Sequence, residues 1–189
     1  MRRKGLVTLS LVAVMSLLSV FSSFADKLEV AEENLKWKYL KDDGTYAKSE
    51  WIALGKDEET NELRTWKYFD ENGYGLEGEW LEYNGQFYYF DDGIGDMQRN
   101  EFVMQYANGE WKENNYYSDD FFQNQINKAI SVYYVGSDGT MLRNQWNHYF
   151  DKYWFYFGED GKMLRNTTTP DGYTVDDLGR WTINGVIQK

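Results

Sequence analysis

The sequence predicts an all-β protein, a solenoid of stacked β-hairpin repeats with one short helical insertion. The prediction rests on a repeated phrase: an aromatic run, an acidic turn closed by glycine, and another aromatic residue about seven positions later. The phrase reads WKYLKDDG before Trp51, WKYFDENG before Trp80, FYYFDDGIG before Phe102, VYYVGSDG before Trp146 and WFYFGEDG before Thr168, with a shorter version, YTVDDLG, near the C-terminus. A repeat of short period indicates one small supersecondary unit stacked on its neighbours, here about five to six hairpins.

Each aromatic run is predicted to be a strand, and the acidic phrase after it a turn. Trp66 and Tyr68 lie two positions apart, which places them on one face of a strand, and aromatic residues favour strands. Asp70–Gly73 has turn chemistry, with a glycine free to adopt positive φ. The return strand is predicted to be short, at 140–143 (TMLR) and 162–165 (KMLR). Because a lone hairpin is marginal in water, the units need to bury their aromatic faces against one another, and packing alone accounts for most of these rings.

Residues 103–131 interrupt the repeat and are predicted to contain a short helix. Ser118 has the character of a helix N-cap, and the two aspartates after it suit the first turn of a helix. Apolar residues recur at helical spacing at Phe122, Ile126, Ala129 and Ile130. An acidic stretch, Gly55–Leu63, is predicted to be an extended solvent loop.

Residues 1–25 have the order of a secretory signal peptide. Positive charges at Arg2, Arg3 and Lys4 precede an apolar stretch and a small-residue pattern that ends before Asp26. The alternative is an uncleaved membrane anchor. The repeats then occupy residues 26–189, which hold no other segment apolar enough to cross a membrane and no cysteine. We therefore expect a secreted protein that has no membrane contact after cleavage.

The chain is acidic, with a formal net charge of -11 at pH 7. Removal of the signal peptide takes away positive charges alone, so the mature protein is more acidic still. Such a surface repels nucleic acid and other polyanions, whereas it tolerates neutral sugars and attracts cations. No nucleic-acid partner is expected.

Catalytic chemistry is not indicated by the residues. A single histidine, His148, and the lack of cysteine exclude a Cys–His dyad and disfavour a histidine-rich zinc site. Nearly all Asp and Glu residues fall in predicted turns and surface loops, where turn formation and solvation account for them. The acidic turns are much shorter than a calcium loop. We predict no catalytic residue, metal or cofactor, and we predict that His148 is solvated.

The repeated phrase resembles the cell-wall-binding repeats of Gram-positive surface proteins, a group that includes choline-binding and glucan-binding modules. The resemblance is carried by EWLEYNGQFYYFDDGIGDM (Glu79 to Met97) and QWNHYFDKYWFYFGEDGKM (Gln145 to Met163), and it covers most of the chain after Leu35. It implies a β-hairpin solenoid whose binding sites lie between consecutive units. Each site of the choline-binding branch is a cage of three aromatic rings.

Carried over by position, the resemblance implies three aromatic cages. They are Trp51 with Trp66 and Tyr68, Trp80 with Phe87 and Tyr89, and Trp146 with Trp154 and Tyr156, the last with Met163 as a floor. Phe102 stands where a tryptophan is usual and is paired with Val132 and Tyr134, and a valine offers no π face. The first cage is interrupted by the predicted loop. The cages of Trp80 and Trp146 are therefore the most complete.

The function expected from these features is that of a non-catalytic secreted module retained at the bacterial cell surface. Its partner would be a cell-wall or surface polysaccharide, either a neutral glucan or a choline-substituted teichoic acid. Aromatic rings suit both, because they attract quaternary ammonium groups and stack on the apolar faces of sugars. The alternative is a structural adhesin or scaffold whose aromatic residues are entirely core and which binds a protein partner.

Overall fold

The computed structural model describes residues 28–31, 35–56, 63–114 and 119–189. The predicted signal peptide, most of the predicted loop and the predicted N-cap Ser118 lie outside these residues. The chain forms two compact units, one ending at Leu76 and the other beginning at Glu77. Within the described ranges, no helix is long and apolar enough to span a membrane.

The first unit contains two antiparallel hairpins. Strand β1 (Leu28–Val30) pairs with β2 (Trp37–Tyr39), and β3 (Glu50–Lys56) pairs with β4 (Leu63–Phe69). The prediction of a loop from Gly55 was wrong at its edges, because Lys56 still pairs with Leu63 across the hairpin. This pairing satisfies backbone groups that a loop would leave to water.

The second unit is also built mainly from antiparallel strands. Its first hairpin joins β5 (Glu79–Tyr83) and β6 (Gln86–Phe90). In the next sheet, β7 (Glu101–Gln105) lies between β8 (Trp111–Asn114) and β9 (Ser131–Val135). A hairpin of β10 (Gln145–Tyr149) and β11 (Tyr153–Phe157) follows. The last sheet contains, in order, β12 (Thr167–Thr168), β13 (Thr174–Val175), β14 (Trp181–Ile183) and β15 (Val186–Ile187). The predicted all-β class with one helix is confirmed.

Helix α1 (Asp119–Lys128) confirms the helix predicted in the insertion. Its apolar face is carried by Phe122 and Ile126, each of which is 1% exposed. Ile130 was predicted on the same face, but it lies beyond the helix end and is 60% exposed. The reason is that the chain turns into β9 there, and the Ile130 amide donates to the Gln105 carbonyl at 2.8 Å.

The strand pairing within a repeat differs from the prediction. The aromatic runs of β4, β6 and β11 each pair with the strand before them, that of β9 pairs with β7, and the segment after the acidic turn forms only isolated bridges. The Met141 amide donates to the Phe87 carbonyl of β6 at 2.8 Å, and the next amide, of Leu142, donates to Tyr134 of β9 at 2.8 Å. Successive amides of an extended segment point to opposite sides. Residues 140–143 are therefore a connector bonded to two aromatic strands, where a return strand was predicted.

The next repeat uses the same connection. The Met163 amide donates to the Val132 carbonyl of β9 at 2.7 Å, and the Leu164 amide donates to Tyr156 of β11 at 2.9 Å. Residues 162–165 thus join β9 to β11 as residues 140–143 join β6 to β9. The predicted stacking of aromatic strands is confirmed for this part of the second unit.

Methionines after the acidic turns pack on the turn glycines of the following repeat. The pairs are Met97 with Gly139, Met141 with Gly161, and Met163 with Gly179. A Cβ atom added to Gly179 would lie 2.9 Å from the Met163 Cε and 3.0 Å from the backbone oxygen of Leu164. Gly179 also has a φ of 84°. The turn therefore needs glycine for close approach as well as for its backbone conformation.

Replacing Gly179 with alanine is expected to destabilise the protein more than the same change at Gly185. Both glycines have positive φ, 84° and 78°, so both variants carry a left-handed penalty of about 1–2 kcal/mol. A Cβ on Gly185 meets nothing within 4 Å, whereas one on Gly179 has to displace packed atoms. Urea denaturation should show an additional loss of about 1–3 kcal/mol for Gly179→Ala. Equal losses for the two variants would contradict the close packing of turns in the stack.

Candidate functional site

Four aromatic side chains line a cavity of about 200 Å³ in the second unit. They are Trp146, Trp154, Tyr173 and Trp181. The ring centroids of Trp146 lie 6.0 Å from Tyr173 and 6.2 Å from Trp181, and those of Tyr173 and Trp181 are 5.5 Å apart. A small aromatic box of this kind presents π faces and very few polar groups to whatever enters it.

Two walls of the cavity come from the hairpin of β10 and β11. Trp146 is paired across the hairpin with Tyr156, and His148 with Trp154, so all four side chains share one face of it. The ring centroids of Trp146 and Tyr156 are 5.2 Å apart at an interplanar angle of 76°. Edge-to-face contact of this kind stabilises aromatic pairs. Tyr156 is 6% exposed and therefore supports Trp146 from behind.

His148 fixes the Trp154 wall. The two rings are stacked with centroids 4.2 Å apart and an interplanar angle of 4°. The prediction that His148 is solvated was wrong, because its side chain is 28% exposed and the Nδ1 atom lies 3.6 Å from an Asp151 carboxylate oxygen. Cross-strand pairing with Trp154 puts the imidazole against the indole. A pattern of alternating residues on two paired strands could have predicted this contact.

The third wall, Tyr173, is held by a turn around the chain's single proline. The Gly172 amide donates to the Thr169 carbonyl at 2.9 Å, which closes a β-turn with Pro170 at its second position. The Thr169 amide also donates to the Tyr173 carbonyl at 2.8 Å. Thr169 is 3% exposed, so the turn is anchored at its base.

The same turn places a carboxylate on the Trp146 indole. The Trp146 Nε1–H donates to Asp171 Oδ2 at 2.8 Å, and the Thr169 hydroxyl donates to Asp171 Oδ1 at 2.5 Å. These two hydrogen bonds hold the pKa of the Asp171 carboxyl below its ordinary value of 3.8. Asp171 is therefore ionised at neutral pH, and it fixes the plane of the indole.

The sequence identified only part of this site. Of the predicted cage, Trp146 and Trp154 both line the cavity, and Tyr156 contacts Trp146. Met163, predicted as a floor, is instead in the hydrophobic core, because its thioether packs on Gly179. Tyr173 and Trp181 were missed. The signal was present in YTVDDLGRW, a shortened copy of the repeated phrase that starts at Tyr173 and ends at Trp181.

Trp80 is the centre of a second four-ring cluster in the same unit. Its ring centroid lies 5.2 Å from Tyr89, 5.5 Å from Tyr133 and 6.0 Å from Trp111. Phe87, the other predicted partner, is not among the described rings in contact with Trp80. It lies beneath the Arg143 guanidinium, whose carbon is 5.6 Å from the Phe87 ring centroid.

The Trp80 cluster corresponds to the Trp146 cluster ring by ring. The pairs are Trp80 with Trp146, Tyr89 with Tyr156, Trp111 with Trp181, and Tyr133 with Tyr173. The clusters differ in access, since Tyr133 is 8% exposed and Tyr173 is 47% exposed. The Trp80 cluster is thus the more closed of the two. Sequence reasoning missed Trp111 because it lies in the insertion, outside the repeated phrase.

In the first unit, the predicted cage of Trp51 is present as a ring cluster. The Trp51 centroid lies 5.3 Å from Tyr68 and 6.5 Å from Trp66. Elsewhere in this unit, the Lys38 ammonium lies 4.6 Å from the Tyr74 ring centroid and 5.5 Å from that of Tyr46. Two tyrosine rings of this unit therefore make cation–π contacts with a lysine of the protein itself.

Phe102 lies in the hydrophobic core of the second unit and does not line an aromatic cage. Phe102 is fully buried and lies 5.0 Å from Tyr134 and 4.9 Å from Phe122 of helix α1. Val132 is 1% exposed and packs in the same cluster. The helix of the insertion thus packs against Phe102 and buries it. Across the residues that the structure describes, no group of three His, Cys, Asp or Glu side chains could hold a metal ion.

Comparison with known proteins finds a family match for one segment of the chain. Residues 140–181 match the family model described as a choline-binding repeat, and they contain all four rings of the cavity. The resemblance inferred from the sequence is therefore confirmed, and this segment is similar to a choline-binding repeat. A search of curated protein sequences found no match.

Several solved structures are similar to this chain. A modular Cpl-1 endolysin complexed with a peptidoglycan analogue is 23% identical, with 72% of this chain and 30% of that chain covered and a TM-score of 0.44. The choline-binding domain of a Streptococcus pneumoniae protein is 27% identical, with coverages of 57% and 96% and a TM-score of 0.37. Choline binding protein F from Streptococcus pneumoniae is 24% identical, with coverages of 83% and 47% and a TM-score of 0.34. The chain spans about a third of the endolysin and about half of choline binding protein F.

Replacing Phe122 with alanine is expected to cost about 3–5 kcal/mol of unfolding free energy, the usual range for a buried phenylalanine. The matched control is Phe121→Ala, which has the same effect on helix propensity but removes a side chain that is 40% exposed. Denaturant unfolding of both variants measures the difference. If Phe122→Ala cost no more than the control, the helix would not be filling the Phe102 position.

Proposed function

We propose that this protein is a non-catalytic, secreted binding module that attaches to a cell-wall polymer by holding a quaternary ammonium headgroup in its aromatic cavity. The observation that carries the proposal is the cavity itself, in which three tryptophans and a tyrosine converge within a segment that is similar to a choline-binding repeat. The modular endolysin, whose structure contains a peptidoglycan analogue, and the pneumococcal choline-binding proteins are consistent with a wall ligand.

The size and lining of the cavity suit a small cation. Its volume of about 200 Å³ is below the roughly 300–1,000 Å³ of pockets that enclose drug-sized molecules. A cation over an aromatic face gains about 0.5–2 kcal/mol per ring. Three or four rings therefore supply a free energy in the range of millimolar affinity, which is about -4 kcal/mol. A single site of this kind binds weakly.

Weak sites gain strength when several engage one polymer. The Trp80 and Trp51 clusters supply further rings, and the Trp80 cluster repeats the arrangement of the Trp146 cluster. A second engaged site raises avidity by about 100-fold to 10,000-fold when its spacing fits the polymer. We infer that the Trp146 cavity is the principal site, because Tyr173 leaves it more accessible than the Trp80 cluster.

The charge of the protein bears on the identity of the polymer. The net charge of -11 opposes the phosphates of a teichoic acid and imposes no such cost on a neutral glucan. Binding a choline-substituted teichoic acid requires the cavity to compensate for this repulsion through its attraction for the cationic choline. We favour that ligand because every ring of the cavity lies in the matched choline-binding repeat.

A binding role without catalysis agrees with the use of the carboxylates. Asp70, Asp138 and Asp176 each accept hydrogen bonds from backbone amides of their own turns. A glycosidase instead needs two carboxyl groups facing each other within about 10 Å across a cleft. These turn aspartates stabilise the repeat itself.

Removing the accessible ring of the cavity should abolish most of its affinity. We expect Tyr173→Ala to weaken choline binding by about 2-fold to 30-fold, the effect of losing one ring. The control is Tyr83→Ala, which removes a tyrosine that is 37% exposed and outside the cavity lining. Quenching of tryptophan fluorescence by choline measures both affinities. Unchanged binding in Tyr173→Ala, or no binding of choline by the unmodified protein, would contradict the proposed site.

Sedimentation with purified cell walls tests the polymer. The mature protein should sediment with walls that carry choline-substituted teichoic acid, remain in solution with walls stripped of it, and be released by free choline. Equal retention on stripped walls would indicate a wall polysaccharide other than teichoic acid as the ligand. Failure to sediment with either preparation would favour a scaffold that binds a protein partner.

A further inference from the structure

A carboxylate is built into the frame of the aromatic cavity. Asp171 accepts the indole N–H of Trp146 at 2.8 Å, and Trp146 is one of the four lining residues. The turn that carries Asp171 also supplies the neighbouring wall, Tyr173. The negative charge is thus one hydrogen bond away from a ring that faces the ligand.

The geometry points to Asp171 as a residue that increases the selectivity of the cavity for cations over uncharged ligands of the same shape. This inference rests on the proposed function, which it deepens by assigning part of the charge selectivity to one side chain. Asp171 acts as a positioning residue through Trp146 and as a source of negative potential at the cavity. The four rings already favour a quaternary ammonium over an apolar group of equal size through cation–π attraction, and the charge of Asp171 adds to that preference.

Two physical effects act in the same direction. The hydrogen bond to a carboxylate draws the indole proton outward and leaves more electron density on the ring, which strengthens its attraction for a cation. The carboxylate also attracts the cation directly, and two opposite unit charges about 6 Å apart in water change an affinity by about threefold. An uncharged ligand experiences neither effect.

The turn holds Asp171 in place for this role. The Thr169 hydroxyl donates to its other carboxylate oxygen at 2.5 Å, and Thr169 is 3% exposed. Both oxygens are therefore engaged, one by the base of the turn and one by the cavity wall. An exposed aspartate without these bonds would lose its orientation to side-chain rotation.

Two substitutions separate the charge of Asp171 from its hydrogen bond. Asp171→Asn keeps an oxygen that accepts the Trp146 N–H but removes the charge, whereas Asp171→Ala removes both. The control is Asp138→Asn, because Asp138 accepts the same kind of bond from a threonine hydroxyl, at 2.8 Å from Thr140, and does not line the cavity. All three variants lose one negative charge.

The probes are choline and its uncharged analogue, in which carbon replaces the quaternary nitrogen. At low ionic strength, Asp171→Asn should weaken choline binding by about threefold or more, leave binding of the analogue unchanged, and reduce the salt dependence of choline binding. Asp171→Ala should weaken both probes, since Trp146 is then no longer held. Asp138→Asn should bind both probes as the unmodified protein does.

The outcomes distinguish this inference from the proposed function. If the unmodified protein binds choline and Asp171→Asn binds it equally well, the charge assignment is wrong and the proposed function stands. Equal weakening of both probes in Asp171→Asn also overturns the assignment, because it shows a structural role alone. If the unmodified protein binds neither probe, the proposed function fails and the assignment fails with it.

Discussion

The fold of the second unit depends on one connection, the hydrogen bond from the amide after an acidic turn to the aromatic strand of the preceding repeat. Met141 makes it to Phe87 and Met163 makes it to Val132. The next amide, of Leu142 or Leu164, donates to the aromatic strand that precedes the connector in the chain. Each connector therefore links two strands that are not otherwise paired. A two-stranded hairpin is marginally stable alone and needs neighbouring hairpins. Here a backbone hydrogen bond, which does not depend on side-chain identity, attaches each repeat to its neighbour. Side-chain packing then stabilises the stack and sets the distance between neighbouring repeats.

That division of roles explains how the clusters of aromatic rings arise. In the hairpins that begin with β3, β5 and β10, the tryptophan at the second position of the first strand pairs with a tyrosine of the second strand. In the second unit, stacking then adds rings from later in the chain. At Trp146 the added rings are Tyr173 and Trp181, and at Trp80 they are Tyr133 and Trp111. A ring cluster is therefore a consequence of stacking rather than a special feature of one repeat. Whether it is a core or a cavity depends on what covers it.

Much of this arrangement could be predicted from the sequence, and the failures share a physical cause. Period and turn chemistry are local, so the repeats and the insertion helix were predicted correctly. The ring pairs of Trp51 with Tyr68 and Trp146 with Tyr156 were expected between consecutive units, whereas the structure forms them across single hairpins. Three features depend on contacts between repeats: the pairing of the connector segments, the burial of Met163 and the contact of Trp111 with Trp80. The alternation of residues within one strand cannot predict such contacts. The repeated phrase indicated a return strand after each turn because a hairpin is the simplest partner for a strand. The structure uses a connector bonded to two strands instead.

The shortened last copy of the phrase is what keeps the Trp146 cavity open. In the Trp80 cluster, Tyr133 belongs to the five-residue strand β9, which is paired with β7. Tyr133 is therefore only 8% exposed. Tyr173 precedes a strand of only two residues and projects from a turn, so about half of its ring is exposed. A full-length strand at this position would cover the site as the insertion helix covers Phe102. The short last strand thus leaves Tyr173 accessible, and the turn before it brings Asp171 to the cavity.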